Sequence, residues 1–132
     1  MFRDDYLMRL IHQIGELIAR VAGLNRDGRH DQALEAADQA WGKLIDAPRE
    51  LIDAVDTATL AAMLREPAKI RAAAELCREQ GHALAGHGDP VHAALRYRRA
   101  LELVREARAL APGPEDDAMI LELSRLAPDR AM

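Results

Sequence analysis

The sequence contains very little cysteine and few aromatic residues. Cys77 is the single cysteine among 132 residues, which excludes an intramolecular disulfide and a zinc site built from several cysteines. One Phe, two Tyr and one Trp make up all the aromatic residues, so a core must consist mainly of aliphatic side chains. Because disulfides are rare in reducing compartments, we expect a protein of the cytoplasm.

Long apolar segments are also missing. No run approaches the roughly 20 residues that a membrane-spanning helix needs. The N-terminal segment, MFRDDYLMRL, carries charges where a signal peptide would have its apolar region. A formal net charge of −4 argues against binding that depends on neutralising phosphates. We therefore predict neither a membrane nor a nucleic acid as the partner.

The residues that are abundant favour helix. Ala, Leu, Glu and Arg dominate, all strong helix formers, and runs of β-branched residues are absent. A chain of this length can bury a real core as one domain. We predict an all-α fold of about 5–7 helices, arranged as antiparallel hairpins in a compact right-handed array over residues 1–132.

Glycine and proline divide the chain. Gly28 is predicted to end a helix at positive φ, Gly88 is predicted to lie in a tight turn, and Asp89-Pro90 supplies an N-cap and a first-turn proline. A frayed tail is expected after Pro128. The predicted units are a hairpin over 4–45, a short-helix insert over 48–66, a hairpin over 67–110 and a last helix over 114–126.

The first helix shows the clearest amphipathic pattern in the sequence. Its apolar residues cover an arc of roughly 160° at 100° per residue. Such an arc predicts either two neighbouring helices, or one neighbour and a second subunit. Under the second alternative, self-association would use Leu10, Leu17 and Val21.

The two glycine turns carry the same pattern. Ala33, Ala37 and Ala40 follow Gly28 by five, nine and twelve residues, and three residues follow Gly88 at the same intervals: Ala93, Tyr97 and Ala100. The chain therefore contains two copies of a helical hairpin, with their turns 60 residues apart and the insert between them.

This pattern resembles the tetratricopeptide repeat (TPR), a pair of helices called A and B. The second hairpin matches the TPR signature at six positions: Gly81, Leu84, Gly88, Ala93, Tyr97 and Ala100. Close crossing of two helices explains the small residues, and Tyr97 is predicted to fill the gap beside Gly81.

The whole-chain order is also similar to that of a family of small uncharacterised bacterial TPR-like proteins. The N-terminus carries the resemblance, through a motif of the type M-x-R-D-Y-x-M-R-x-I. The matching residues are Met1, Arg3, Asp5, Tyr6, Met8, Arg9 and Ile11. The family brings no established activity.

The residues that could carry chemistry form no recognisable set. His82, His87 and His92 are spaced by five across a turn, whereas ligands on one helix need a spacing of three or four. Neither a phosphate-binding glycine loop nor a G-x-S-x-G turn occurs, and Cys77 falls where a helical repeat is packed. We predict no catalytic residue, no metal and no cofactor.

The TPR resemblance implies that a ligand would bind on the groove-lining face of helix A. In the second hairpin this face carries Arg78 and His82, with Glu75 nearby. The simpler alternative is that Arg78 and Glu75 are ordinary solvated charges. The leading hypothesis is a non-catalytic protein-interaction module or adaptor that binds a protein or peptide. The alternatives are a homodimeric scaffold and a histidine-based metal or enzyme site.

Overall fold

The computed structural model describes residues 2–127, and the side chains from residue 4 onward. Met1 and the expected frayed tail after Pro128 lie outside this range. The described chain is all-α, as predicted, and has seven helices within it. They are α1 (Phe2–Arg26), α2 (His30–Leu44), α3 (Arg49–Ala54), α4 (Thr57–Leu64), α5 (Pro67–Gly86), α6 (Pro90–Leu110) and α7 (Asp116–Leu126).

The predicted helix signals fall at the helix ends. Gly28 and Gly88 have φ of 76° and 82°, and Pro90 stands in the first turn of α6. The side chain of Asp89 accepts a hydrogen bond from the backbone N–H of His92. Carboxylates at this position satisfy an N–H that the helix leaves free, which fixes where α6 begins.

Two helices begin later than the sequence predicted. Pro48 is the N-cap residue of α3, in extended conformation, and is not in its first turn. The last helix begins at Asp116 and not at 114. There the Asp116 carboxylate accepts a hydrogen bond from the Gly113 N–H at 2.7 Å, which holds the preceding residues in a turn.

The long helix α5 lies at the centre of the fold. It packs against α1, α2 and α6, while α7 packs on α6. Two neighbours of α5, α2 and α6, make little contact with each other, and α4 packs on α6. The packing therefore leaves an opening between α2 and α6 that has α5 at its base.

The α5–α6 crossing is as close as the sequence predicted. A Cβ added to Gly81 would lie 2.5 Å from Cε1 of Tyr97, well inside van der Waals contact. Tyr97 is 5% exposed, and its hydroxyl lies 2.8 Å from Nδ1 of His82. The ring is thus fixed at both ends and occupies the space that the glycine leaves.

The apolar face of α1 is only partly covered by the rest of the chain. Ile14, Ile18 and Val21 are buried, whereas no side chain over residues 4–13 is buried. Val21 is 0% exposed and cannot contact a second copy, so its prediction as a self-association residue is corrected. A wide arc does not tell which of its positions face the chain's own core. Leu10 and Leu17 are half-buried.

An ion pair holds α7 against α5. Both oxygens of the Asp116 carboxylate accept hydrogen bonds from the Arg71 guanidinium at 2.8 Å, and Asp116 is 4% exposed. Arg71 also donates to the backbone carbonyl of Ala111. The hydrogen bonds from Arg71 hold the pKa of Asp116 below its usual value.

Asp116→Asn is expected to lower the free energy of unfolding at pH 7 by about 2 kcal/mol, since it removes a charge-assisted bidentate contact. A depressed folded-state pKa means that the unfolded chain takes up this proton more readily. The stabilisation from the ionised Asp116 carboxylate is therefore complete above about pH 4, and it declines as the pH falls towards the folded-state pKa of Asp116. Urea unfolding at neutral and acidic pH measures it.

Asp117→Asn is the matched control. Asp117 is exposed and pairs with Arg108 at 3.1 Å, so its loss should change stability by less than about 1 kcal/mol. An Asp116→Asn deficit that is equally large at acidic and neutral pH would show that the charge is not what stabilises α7.

A candidate binding cavity between two helices

A cavity of about 800 Å³ occupies the opening between α2 and α6. Its base comes from α5, and the insert helices α3 and α4 form one wall. Ligand cavities of roughly 300 to 1,000 Å³ are typical of proteins, so its size suits a small molecule or a few side chains of a partner.

Three leucines, one each from α2, α5 and α6, line the cavity. Leu34 of α2 and Leu84 of α5 are half-buried, while Leu95 of α6 is 60% exposed. Exposed apolar side chains that converge in a concavity bury apolar surface when a ligand enters. The cavity therefore has an apolar contact surface before any ligand arrives.

A buried hydrogen bond links the cavity to the core. The Nε1–H of Trp41 donates to the side-chain carbonyl of Gln80 at 3.1 Å. Trp41 is 3% exposed and Gln80 2% exposed, and Gln80 also lines the cavity. Because buried polar groups need partners, this bond fixes the orientation of the Gln80 amide at the cavity base.

Ion pairs also line the cavity. Arg96 donates to Asp53 at 2.9 Å, joining α6 to α3, and Arg49 pairs with Asp38, joining α3 to α2. All four of these side chains line the cavity. Apolar and charged side chains occur together in protein-binding surfaces.

Arg99 attaches the insert to α6. Its guanidinium donates to the backbone carbonyl of Val55 at 2.8 Å and lies 3.4 Å from that of Ile52. These carbonyls belong to the end of α3, where helix carbonyls lack internal partners. Thr57 adds a hydrogen bond to Glu102. Arg99 therefore holds the insert in place as the cavity wall.

The residues predicted for partner binding lie elsewhere. Arg78 and Glu75 line a separate cavity of about 300 Å³ between α5 and α7. The Arg78 guanidinium donates to Glu122 of α7 at 3.1 Å, and His82 is engaged with Tyr97 and does not line that cavity. The structure thus brings two of the three residues together, and a peptide carboxylate would compete with Glu122 for Arg78.

Glu75 is partly buried among charged side chains of both signs. Burial raises the pKa of its carboxyl group, Arg78 acts in the opposite direction, and the nearby Glu115 and Glu79 raise the pKa further. Glu79 itself is 7% exposed and accepts a hydrogen bond from the Asn25 amide at 3.1 Å. Arg78 and Glu75 are therefore parts of an internal charge network between α5 and its neighbours.

Cys77 is packed in the core, and two further histidines have carboxylate partners. Cys77 is fully buried, and burial raises the pKa of its thiol to about 11, despite the opposing effect of Arg96 and Arg99. His87 pairs with Asp31, and His92 with Asp89. Within residues 2–127, no three His, Cys, Asp or Glu side chains are close enough together to hold a metal ion.

The sequence reasoning missed the residues of the larger cavity. One available signal was Leu95, an apolar residue of α6 that lies off the face of Ala93, Tyr97 and Ala100 and close to the arginines of that helix. Gln80, a polar residue between buried positions of α5, was another. The role of these two residues in lining a cavity becomes apparent only when the positions of α2 and α3 are known.

No helix in the described range is long and apolar enough to cross a membrane. No known protein family, curated protein or solved structure matches this chain.

Proposed function

We propose that this chain is a non-catalytic, TPR-like interaction module that binds a segment of another protein in the cavity between α2 and α6. The observation that carries the proposal is a cavity of about 800 Å³ that is lined by Leu34, Leu84 and Leu95 together with ion-paired side chains. Such a surface suits a segment with one apolar side chain between polar neighbours.

The helix order supports the TPR-like description. α1 packs on α2, α2 on α5, α5 on α6 and α6 on α7, which is the neighbour order of successive antiparallel hairpins. The contact between Gly81 and Tyr97 lies at the positions that the TPR signature reserves for helix crossing. The bacterial relationship and a cytoplasmic location remain predictions from the sequence.

The ion pairs that line the cavity make binding selective for the charges of the bound segment. Arg96 and Arg49 already have carboxylate partners, so a ligand charge of either sign must exchange with an existing partner. Such exchange contributes little net affinity, and the apolar contact supplies most of it. The bound segment is therefore expected to have an apolar side chain at a fixed position and variable polar residues around it.

Selection from a random-sequence peptide library on the intact protein tests the proposal. Peptides that bind are expected to share one apolar residue and to lose at least about tenfold in affinity when Leu95 is changed to Lys. Isothermal titration calorimetry of each variant measures the dissociation constant. Leu95 is largely exposed, so the substitution should leave the fold intact.

Leu110→Lys is the matched control, because Leu110 lies on the same helix, is 61% exposed and does not line the cavity. It should bind the selected peptides as the unmodified protein does. Selected peptides that bind the Leu95→Lys variant with unchanged affinity, or a library that yields no binder, would contradict the proposal.

A further inference from the structure

The exposed side of α1 has the residue spacing of a coiled-coil contact. Six residues follow one another at alternating intervals of four and three, and all of them are exposed or half-buried. This α1 stripe consists of Tyr6, Leu10, Gln13, Leu17, Arg20 and Leu24. Alternation of four and three keeps side chains on the side that faces a partner helix.

The stripe is only partly used within the chain. Leu10, Leu17 and Leu24 pack against the core with part of their surface, and Tyr6 is 63% exposed. Among the described side chains of α1, the first that the core buries is Ile14. The four apolar residues of the stripe therefore leave apolar surface that a partner helix can cover.

Charged residues in and beside the stripe lie opposite residues of the other sign when a second copy of α1 is placed antiparallel to the first. Arg9 and Glu16 flank it on the same side, seven residues apart; Asp5 lies before Arg9 along the helix, and Arg20, itself a stripe residue, follows Glu16. In the described part of the chain, none of these four side chains has a hydrogen bond or ion pair. Their charges are therefore available to a partner.

We propose that two copies of this chain associate through the α1 stripe as antiparallel helices that cross near residues 12 and 13. A twofold axis there places Arg9 beside Glu16 of the second copy, and Glu16 beside the second Arg9. The same register places Asp5 of each copy near Arg20 of the other. A parallel pair would place each charge at the level of its own duplicate, so the pattern selects the antiparallel arrangement.

The paired stripes bury Tyr6 and the outer surfaces of Leu10 and Leu17, the two self-association residues that the fold leaves accessible. This interface shares no residue with the cavity between α2 and α6. The dimer goes beyond the proposed function, and either proposal can fail without affecting the other.

Sedimentation equilibrium tests the dimer. The unmodified chain, of 14.6 kDa, is expected to sediment at twice that mass at concentrations of about 100 µM. Arg9→Glu and Glu16→Arg should each weaken association about tenfold or more, because each creates two like-charge contacts per dimer. A monomer at that concentration would overturn the proposal.

Combining the two substitutions distinguishes this register from other dimers. The double variant restores both contacts and should regain the affinity of the unmodified chain. An equimolar mixture of the two single variants should form a heterodimer, since every flanking pair then has opposite charges. Failure of both combinations to recover association would overturn the antiparallel register.

Tyr6→Lys and Met8→Lys form a matched pair on the same turn of α1. Met8 is 72% exposed and points away from the stripe at helical spacing, so its change should leave the dimer intact. Tyr6→Lys should reduce association at least tenfold, with circular dichroism showing unchanged helix content. Equal behaviour of the two variants would contradict the stripe as the contact surface.

Discussion

Trp41→Ala is expected to lower the free energy of unfolding by about 4 kcal/mol, the usual cost of truncating a large buried aromatic residue. Trp41 is 3% exposed and is the largest side chain of an α2 inner face that otherwise consists of alanines and one leucine. Small neighbours cannot move to fill the space, so most of the cavity should persist. Chemical unfolding monitored by circular dichroism measures the loss.

Trp41→Phe separates packing from the hydrogen bond. It keeps an aromatic ring but leaves the Gln80 carbonyl without its donor, at a cost of about 1 to 3 kcal/mol. Changing Gln80 to Leu in the same chain should recover part of that loss, because neither polar group then remains unpaired. A Trp41→Ala variant as stable as the unmodified protein would contradict the described core.

Gly81→Val is expected to lower the free energy of unfolding by about 3 kcal/mol, because the new side chain would overlap the ring of Tyr97. The ring cannot simply turn away, since it is buried and its hydroxyl is held at His82. Either α5 and α6 must separate or the ring must leave the core. Thermal and urea unfolding measure the change.

Gly15→Val provides the control, because nothing lies within 4 Å of a Cβ added to this helical glycine. Valine and glycine have similar, low helix propensities, so stability should change by less than about 1 kcal/mol. Adding Tyr97→Leu to Gly81→Val should recover stability relative to the sum of the two single effects. Strict additivity would show that the two residues are not in contact.

Local signals in the sequence were sufficient for most of the helices. Gly28, Gly88, Pro90 and Asp89 act within a few residues of their own position, so the chain carries the information for each end. The contact of Gly81 with Tyr97 was accessible for a related reason, since the hairpin turn brings these two positions together.

The cavity could not be predicted because it depends on distances between helices that are far apart in the sequence. Arg96 and Asp53 are 43 residues apart, and Gln80 and Trp41 are 39 apart. An arginine on a helix surface has many possible carboxylate partners, and only the docked insert determines which one it meets. Val21 shows the same limit, since an apolar position on a wide face does not reveal which helix covers it.

At the start of α7, a local sequence preference competes with a tertiary contact, and the sequence does not show which of the two prevails. Pro114 is a good first-turn residue, and this favoured an earlier beginning. In the fold, Asp116 binds Arg71 and the Gly113 N–H at once, which keeps residues 113–115 in a turn. A tertiary contact thus overrides the local preference.

The indole N–H of Trp41 provides the most direct test of the proposed binding site. It is the single tryptophan N–H of the chain, and it donates to Gln80, which lines the cavity. In ¹⁵N-resolved NMR spectra, a peptide selected by the library should shift this resonance, together with the amides of Leu84 and Leu95, as it saturates the protein. Saturation by the peptide with the Trp41 resonance unmoved, and with shifts confined to other surfaces, would contradict binding between α2 and α6.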